Sequence, residues 1–195
     1  MPEKLKPGKA GWTSPVQTQN WRQRSMNETD VRIVRATEAD LPALAELAGV
    51  IWRAHYPGII PLAQIEYMLA WMYSLATLSD EFRTQHICFE QLFTDERFVG
   101  FAAYGPTADP GVMKLHKLYL LPQYHGKGVG ASALKEVEGI ARGAGAARLV
   151  LNVNKHNAKA IRSYQRSGWS VAEAVCVDIG AGFVMDDYVM AKELV

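Results

Sequence analysis

His125-Gly126-Lys127-Gly128-Val129-Gly130-Ala131 is the stretch on which the reading of this chain turns. Met113 to Leu121 before it reads as a strand. Ser132 to Arg142 after it reads as a helix, with Leu134, Val137 and Ile140 at helical spacing. A glycine-rich turn that opens a helix presents backbone N–H groups with no intrahelical partner, and the helix dipole adds partial positive charge at the same place. That makes an anion site, and phosphate is the usual anion. Glycine suits it because a side chain would hold the backbone away from the ligand and because such turns use positive φ.

Two familiar phosphate loops fit these residues poorly. A P-loop needs Gly-Lys followed directly by Ser or Thr, and here Gly126-Lys127 is followed by Gly128. A dinucleotide fingerprint can be laid on Gly126, Gly128 and Ala131, but it wants the strand to run straight into the first glycine and an acid at the end of the next strand. Pro122-Gln123-Tyr124-His125 intervenes instead, and the next strand ends in Leu151-Asn152-Val153-Asn154.

The run from Lys117 to Gly130 resembles the acetyl-CoA-binding motif of the GNAT N-acetyltransferase superfamily, Gln/Arg-x-x-Gly-x-Gly/Ala, with Gln123, Gly126 and Gly128 in one register and His125, Gly128 and Gly130 in the other. A second block, Asn157-x-x-Ala160-x-x-x-Tyr164-x-x-x-Gly168-Trp169, is similar to that family's Asn-x-x-Ala-x-x-x-Tyr-x-x-x-Gly-Phe pattern. The resemblance covers residues 31–195. It implies an α/β protein with a mixed, mostly antiparallel sheet, a splayed central pair of parallel strands and helices on both faces. It also implies acetyl transfer from acetyl-CoA, as cosubstrate and without a metal, to a primary amine of a small molecule.

The same resemblance assigns roles. The main chain of Leu118, Tyr119 and Leu120 is expected to hold the pantetheine arm, and a backbone N–H there to stabilise the developing oxyanion. His125, Gly126, Lys127, Gly128, Val129, Gly130 and Ala131 are expected around the pyrophosphate, with Asn157 as a further cofactor ligand. Asn157 is equally the N-cap of its helix, and the two roles are compatible. Tyr164 stands where the family places a general acid. His116 stands where some members keep a carboxylate base, so a histidine, a water chain or no base at all remains open.

On the acceptor side, the stretch from Trp52 to Pro61, with Tyr56-Pro57-Gly58-Ile59-Ile60-Pro61, and the segment from Asp178 to Met190 most resemble the bacterial polyamine (spermidine/spermine) acetyltransferases. Tyr56, Asp186 and Asp187 are the expected acceptor-binding residues, and paired carboxylates suit a cationic amine. The competing reading is an acyl-CoA-binding sensor or interaction protein without transferase activity. Dimerisation is common in the family, and no stretch identifies an interface.

Composition narrows the class. The chain has 195 residues, 49% of them hydrophobic, with a formal net charge of +1. Residues 1–30 hold five basic and three acidic side chains, leaving 16 basic and 17 acidic in the remainder. A near-neutral body gives no footprint for nucleic acid, and no long apolar run suggests a membrane span. Residues 1–30 have no apolar period and no signal-peptide core, so they read as a disordered or leader-like tail. The two cysteines, Cys88 and Cys176, read as small buried residues of a reducing cytoplasm.

Along the rest of the chain, Val31–Arg35 reads as a strand and Thr37–Asp40 as a capped helix start. Helices follow from Leu41 to Ile51 and beyond, ended by Pro57-Gly58, and from Leu62 to Leu75. Ile87–Phe93 and Arg97–Tyr104 read as a hairpin. Arg148–Val153 is a buried strand parallel to the one ending at Leu121, Ala158–Arg166 a helix, and Ser170–Ile179 with Phe183–Leu194 a final antiparallel pair.

Overall fold

In the computed structural model, residues 31–194 are described; the expected tail, 1–30, falls outside them. The chain runs β1 (Val31–Arg35), a 3-10 turn, α1 (Leu41–His55), α2 (Leu62–Met72), α3 (Leu75–Arg83), β2 (Cys88–Thr94), β3 (Arg97–Pro106) and β4 (Val112–Leu120). After a second 3-10 turn come α4 (Val129–Gly143), β5 (Arg148–Asn154), α5 (Ala158–Arg166), β6 (Ser170–Gly180) and β7 (Phe183–Glu193). One sheet takes the order β1-β2-β3-β4-β5-β7-β6. Every neighbouring pair is antiparallel except β4 and β5, which are parallel and joined through α4.

Helices cover both faces. On one, Leu41, Leu44, Ala48 and Trp52 of α1, Ile65, Met68 and Leu69 of α2 and Leu78 of α3 bury Phe89, Phe101 and Ala103 of the sheet. On the other, Leu134, Val137 and Ala141 of α4 pack on Met113, Leu115, Leu149 and Leu151. These are the apolar stripes of amphipathic helices turned onto the sheet.

Three readings from sequence are corrected. The second helix ends at Met72, and Ser74 caps a separate one, its hydroxyl accepting from the Thr77 N–H at 3.1 Å. That helix, α3, is nine residues long and mostly polar, with Leu78 buried and Phe82 packed beside it, so the short stretch does not stand out as an element of its own. The helix after the glycine loop begins at Val129, three residues earlier than Ser132, with Gly128 as its N-cap. Cys176 is exposed while Cys88 is buried, because β6 forms the sheet edge and is open along most of its length.

The central strand departs from regular pleating at one residue. Opposite β3, Ala103 pairs with Lys117 and Tyr104 with Leu115, so His116 is an extra residue, a bulge. A bulge resets the alternation of side chains. Met113 and Leu115 face α4, whereas Tyr119 packs under α1 and α2, and Lys117 lies over the rings of Tyr73 and Phe89.

Next to this, the β3–β4 contact is held close by glycine. A Cβ on Gly100 would lie 2.3 Å from the Tyr119 carbonyl oxygen and 3.1 Å from Leu120 Cα, both backbone atoms. Gly100→Ala is therefore expected to cost about 1–3 kcal/mol through overpacking. Gly139→Ala, on α4 where a Cβ meets nothing within 4 Å, should instead stabilise by roughly 0.5–1 kcal/mol through helix preference. Urea unfolding midpoints of the two variants test the contrast.

Candidate active site

Parallel pairing of β4 with β5 begins at Val112↔Arg148 and stops at Leu115↔Leu151. Beyond it β4 runs on to Leu120 and β5 to Asn154 with no strand partner between them. A cleft of about 720 Å³ opens there, walled by α1, α2 and α5, with His116 to Leu120 along one side and Asn152 to Asn154 along the other.

The glycine loop lies at one end. Gly126 and Gly128 take φ of 76° and 84°, and a Cβ on either would meet nothing within 4 Å. The backbone is thus in a conformation suited to glycine and open on its outer side. Gly128 offers no side-chain cap to α4, so the first N–H groups of that helix face the loop.

Side chains brace this loop. His125 Nε2 lies 3.1 Å from the Leu120 carbonyl and so carries the proton, leaving Nδ1 to accept from Lys159 Nζ at 3.1 Å. Burial, then the Lys159 charge, lowers the His125 pKa. Asn157 is buried and caps α5, its Oδ1 accepting from the Ala160 N–H at 3.2 Å. Its Nδ2 donates to His55 Nε2 at 3.1 Å. His55 closes α1 and stacks edge-on against His125 at 5.7 Å; burial lowers its pKa too. The His55 contact leaves no local trace, since it joins residues 102 positions apart.

Phenols crowd the middle of the cleft. Tyr164, on α5, lines it, and burial pushes its hydroxyl up to about 12. Tyr56 and Tyr119 line it as well, with phenol pKa values well above the ordinary one through burial. Trp52 packs against both, at 4.5 Å from Tyr56 and 5.7 Å from Tyr119.

The floor on the α2 and α3 side is charged. Lys117 Nζ donates to both oxygens of Glu81 at 2.6 Å, and the lysine side chain is only 2% exposed. Asp187 on β7 is buried and lines the cleft, and burial raises its pKa. His116 Nε2 is buried with no hydrogen-bond partner among the described residues. Burial, reinforced by Lys114 and Lys117, pushes its pKa down to about 3.

A family model settles what this arrangement belongs to: residues 46–169 match the acetyltransferase (GNAT) family. The chain belongs to the GNAT family. An uncharacterized N-acetyltransferase of Mycobacterium tuberculosis is 41% identical over 101 residues, covering 52% of this chain. The matched stretch spans 64% of that relative's length. The spermidine N(1)-acetyltransferase of Thermoplasma acidophilum is 29% identical over 160 residues, 80% of this chain and 96% of that protein. Among solved structures, the PaiA N-acetyltransferase of T. acidophilum in complex with coenzyme A superimposes with a TM-score of 0.70 at 28% identity, over 84% of this chain and 99% of that one. A GCN5-related N-acetyltransferase of Rhodopseudomonas palustris has the same fold, with a TM-score of 0.70 at 19% identity over 88% of this chain and 99% of that one.

Against the GNAT expectations, Leu118, Tyr119, Leu120, His116, His125, Gly126, Gly128, Gly130, Ala131, Asn157, Tyr164, Tyr56 and Asp187 all line one cleft. Three expected residues turn elsewhere. Val129 is fully buried in a small core with Leu92 and Val99, and Lys127 lies over the Tyr124 ring at 5.3 Å. Asp186 is ion-paired with Lys155 and stays outside the cleft, because neighbouring residues on a strand face opposite ways. Glu81, Lys114 and Lys117 line the cleft without having been expected there.

His116 gives a pH test of this geometry. Folded, it resists protonation from its ordinary 6.5 down to about 3. The unfolded chain binds that proton first, so His116 lowers stability progressively as pH falls below 6.5. His116→Asn removes this loss. Relative to wild type, the variant should gain about 1.4 kcal/mol per pH unit below 6.5 and nothing above it, read from urea unfolding between pH 5 and 8.

Proposed function

We propose that the chain is an acetyl-CoA-dependent N-acetyltransferase whose acceptor is a primary amine of a cationic small molecule, with polyamines the leading class. The observation that carries this reading is the loss of β4–β5 pairing immediately beside an open glycine cradle at a helix N-terminus. Unpaired strand edges can bond an extended amide-bearing arm, and the α4 N-terminus can take the attached pyrophosphate. The residues present fit acetyl-CoA. Leu118, Tyr119 and Leu120 hold the arm through the main chain, the loop from His125 to Ala131 takes the phosphates, and Asn157 and Lys159 flank them.

Bound there, the cosubstrate supplies a thioester carbonyl carbon as electrophile. A backbone N–H along β4 stabilises the oxyanion that develops on it, a role typically worth about 2.7–4 kcal/mol. Tyr164 is a protonated phenol at neutral pH, so it is a donor for the departing thiolate. The acceptor enters from the α1–α2 side, where Tyr56, Trp52 and Asp187 face it. Aromatic faces and a buried carboxylate are what an alkylammonium binds. The spermidine acetyltransferase matched over 80% of this chain supports the same acceptor class.

Calorimetry and turnover test the reading. Gly128→Asp should abolish measurable acetyl-CoA binding while the domain stays folded, since aspartate tolerates left-handed backbone better than most residues but sets a negative charge against the pyrophosphate. Unchanged affinity would show that the loop holds no phosphate. Tyr164→Phe should keep that affinity and lower kcat by about 10²–10⁴-fold; wild-type turnover would return Tyr164 to a packing role. Thioester consumption with spermidine, spermine, monoamines, amino acids and peptide N-termini ranks the acceptors. A preference for amino acids or peptides would overturn the polyamine assignment and leave acetyl transfer standing.

A further inference from the structure

We infer that Asp187 is the catalytic base, the group that takes the proton from the acceptor ammonium before nitrogen attacks the thioester; this rests on the acetyltransferase reading above. Among the described residues two carboxylates line the cleft, Glu81 and Asp187. Glu81 is committed. Both its oxygens accept from Lys117 at 2.6 Å, and that ammonium lies over the Tyr73 and Phe89 rings. An incoming amine would have to displace an internal cation already bonded at full strength.

His116, where the family resemblance looks for a base, is enclosed between Lys114 and Lys117, which oppose a third positive charge beside them. Asp187 is placed differently. It is paired in register with Asn154, at the end of β5 that has come away from β4. It is 8% exposed and reached from the cleft. Tyr164 and Tyr56 line the same cleft, so proton donor and proton acceptor open onto one cavity.

The groups around Asp187 set its basicity. Burial raises its pKa most, and Asp186 on its own strand adds to this. The Asn152 side chain on β5, Lys114 on β4 and Lys155 beyond β5 oppose. The result is a carboxylate that binds a proton more readily than an exposed one, as a base for an ammonium requires.

The step balances. The ammonium gives one proton to Asp187, the nitrogen lone pair forms the C–N bond, and the C–S bond breaks. Tyr164 protonates the thiolate, and the second proton shed by nitrogen restores the phenol. Asp187 passes its proton to water, so each turnover releases one.

The test measures kcat and KM against pH for the full chain with acetyl-CoA and spermidine, or the best acceptor of the amine panel. Asp187→Asn should lower kcat by about 10²–10⁴-fold at neutral pH, with acetyl-CoA affinity by calorimetry unchanged. Its rate should climb roughly tenfold per pH unit as solution deprotonates the amine, while the wild type levels off above the pKa of Asp187. A weakly basic acceptor, unprotonated at neutral pH, should show little loss, and Asp187→Glu should recover part of the rate. A raised KM with kcat intact would make Asp187 an acceptor anchor and overturn the proposal, as would equal loss in the Asn and Glu variants or with both kinds of amine. If Asn impairs folding, the Glu variant and the wild-type pH profile decide alone. Absence of wild-type turnover with every amine would sink the acetyltransferase reading itself, whereas wild-type turnover retained in Asp187→Asn would sink only the base.

Discussion

Backbone hydrogen bonding holds β4 to β5 over a register of four residue pairs and then lets go. The rest of the site depends on that release. A strand edge left unpaired inside a domain carries donors and acceptors that need partners, and here they border a cleft. The bulge at His116 falls where the pairing ends. It turns Met113 and Leu115 toward α4 and Tyr119 toward α1 and α2, so a single strand serves a hydrophobic core before the bulge and a functional wall after it.

Charge follows from the same geometry. Lys114, His116 and Lys117 share one short stretch of β4, and all three have their charged forms disfavoured by burial. Lys117 is compensated by both oxygens of Glu81 and by two aromatic faces. Burying an ion pair is costly and rarely adds net stability, so the pair is better understood as fixing α3 against the sheet. Its presence also decides which carboxylate is left to face the cleft.

The glycine loop and the parallel strand pair were legible in the sequence because their cause is local: positive φ needs glycine, and strand–helix–strand spacing sets the crossover. α3 was not, since it is nine residues long, mostly polar, and set off from α2 only by the break at Tyr73 and Ser74. Nor could the sequence separate Asp186 from Asp187. Adjacent residues on a strand point to opposite faces, and which face is the cleft depends on the register of β7 against β5. The bulge at His116 is set by β3 across the turn, and the His55–Asn157 bond by the packing of α1 near α5. These are tertiary facts with no local trace.

The bracing of the glycine loop has a thermodynamic consequence. His125 ties the loop to Leu120 on one side and to Lys159 on the other, and Asn157 ties α5 to α1 through His55. These bonds form within the protein alone, so the loss of conformational freedom in loop and side chains falls on folding and not on ligand capture. A surface organised in this way gains affinity from what it no longer has to freeze. Its cost is a folded state that holds desolvated imidazoles whether or not a nucleotide is bound.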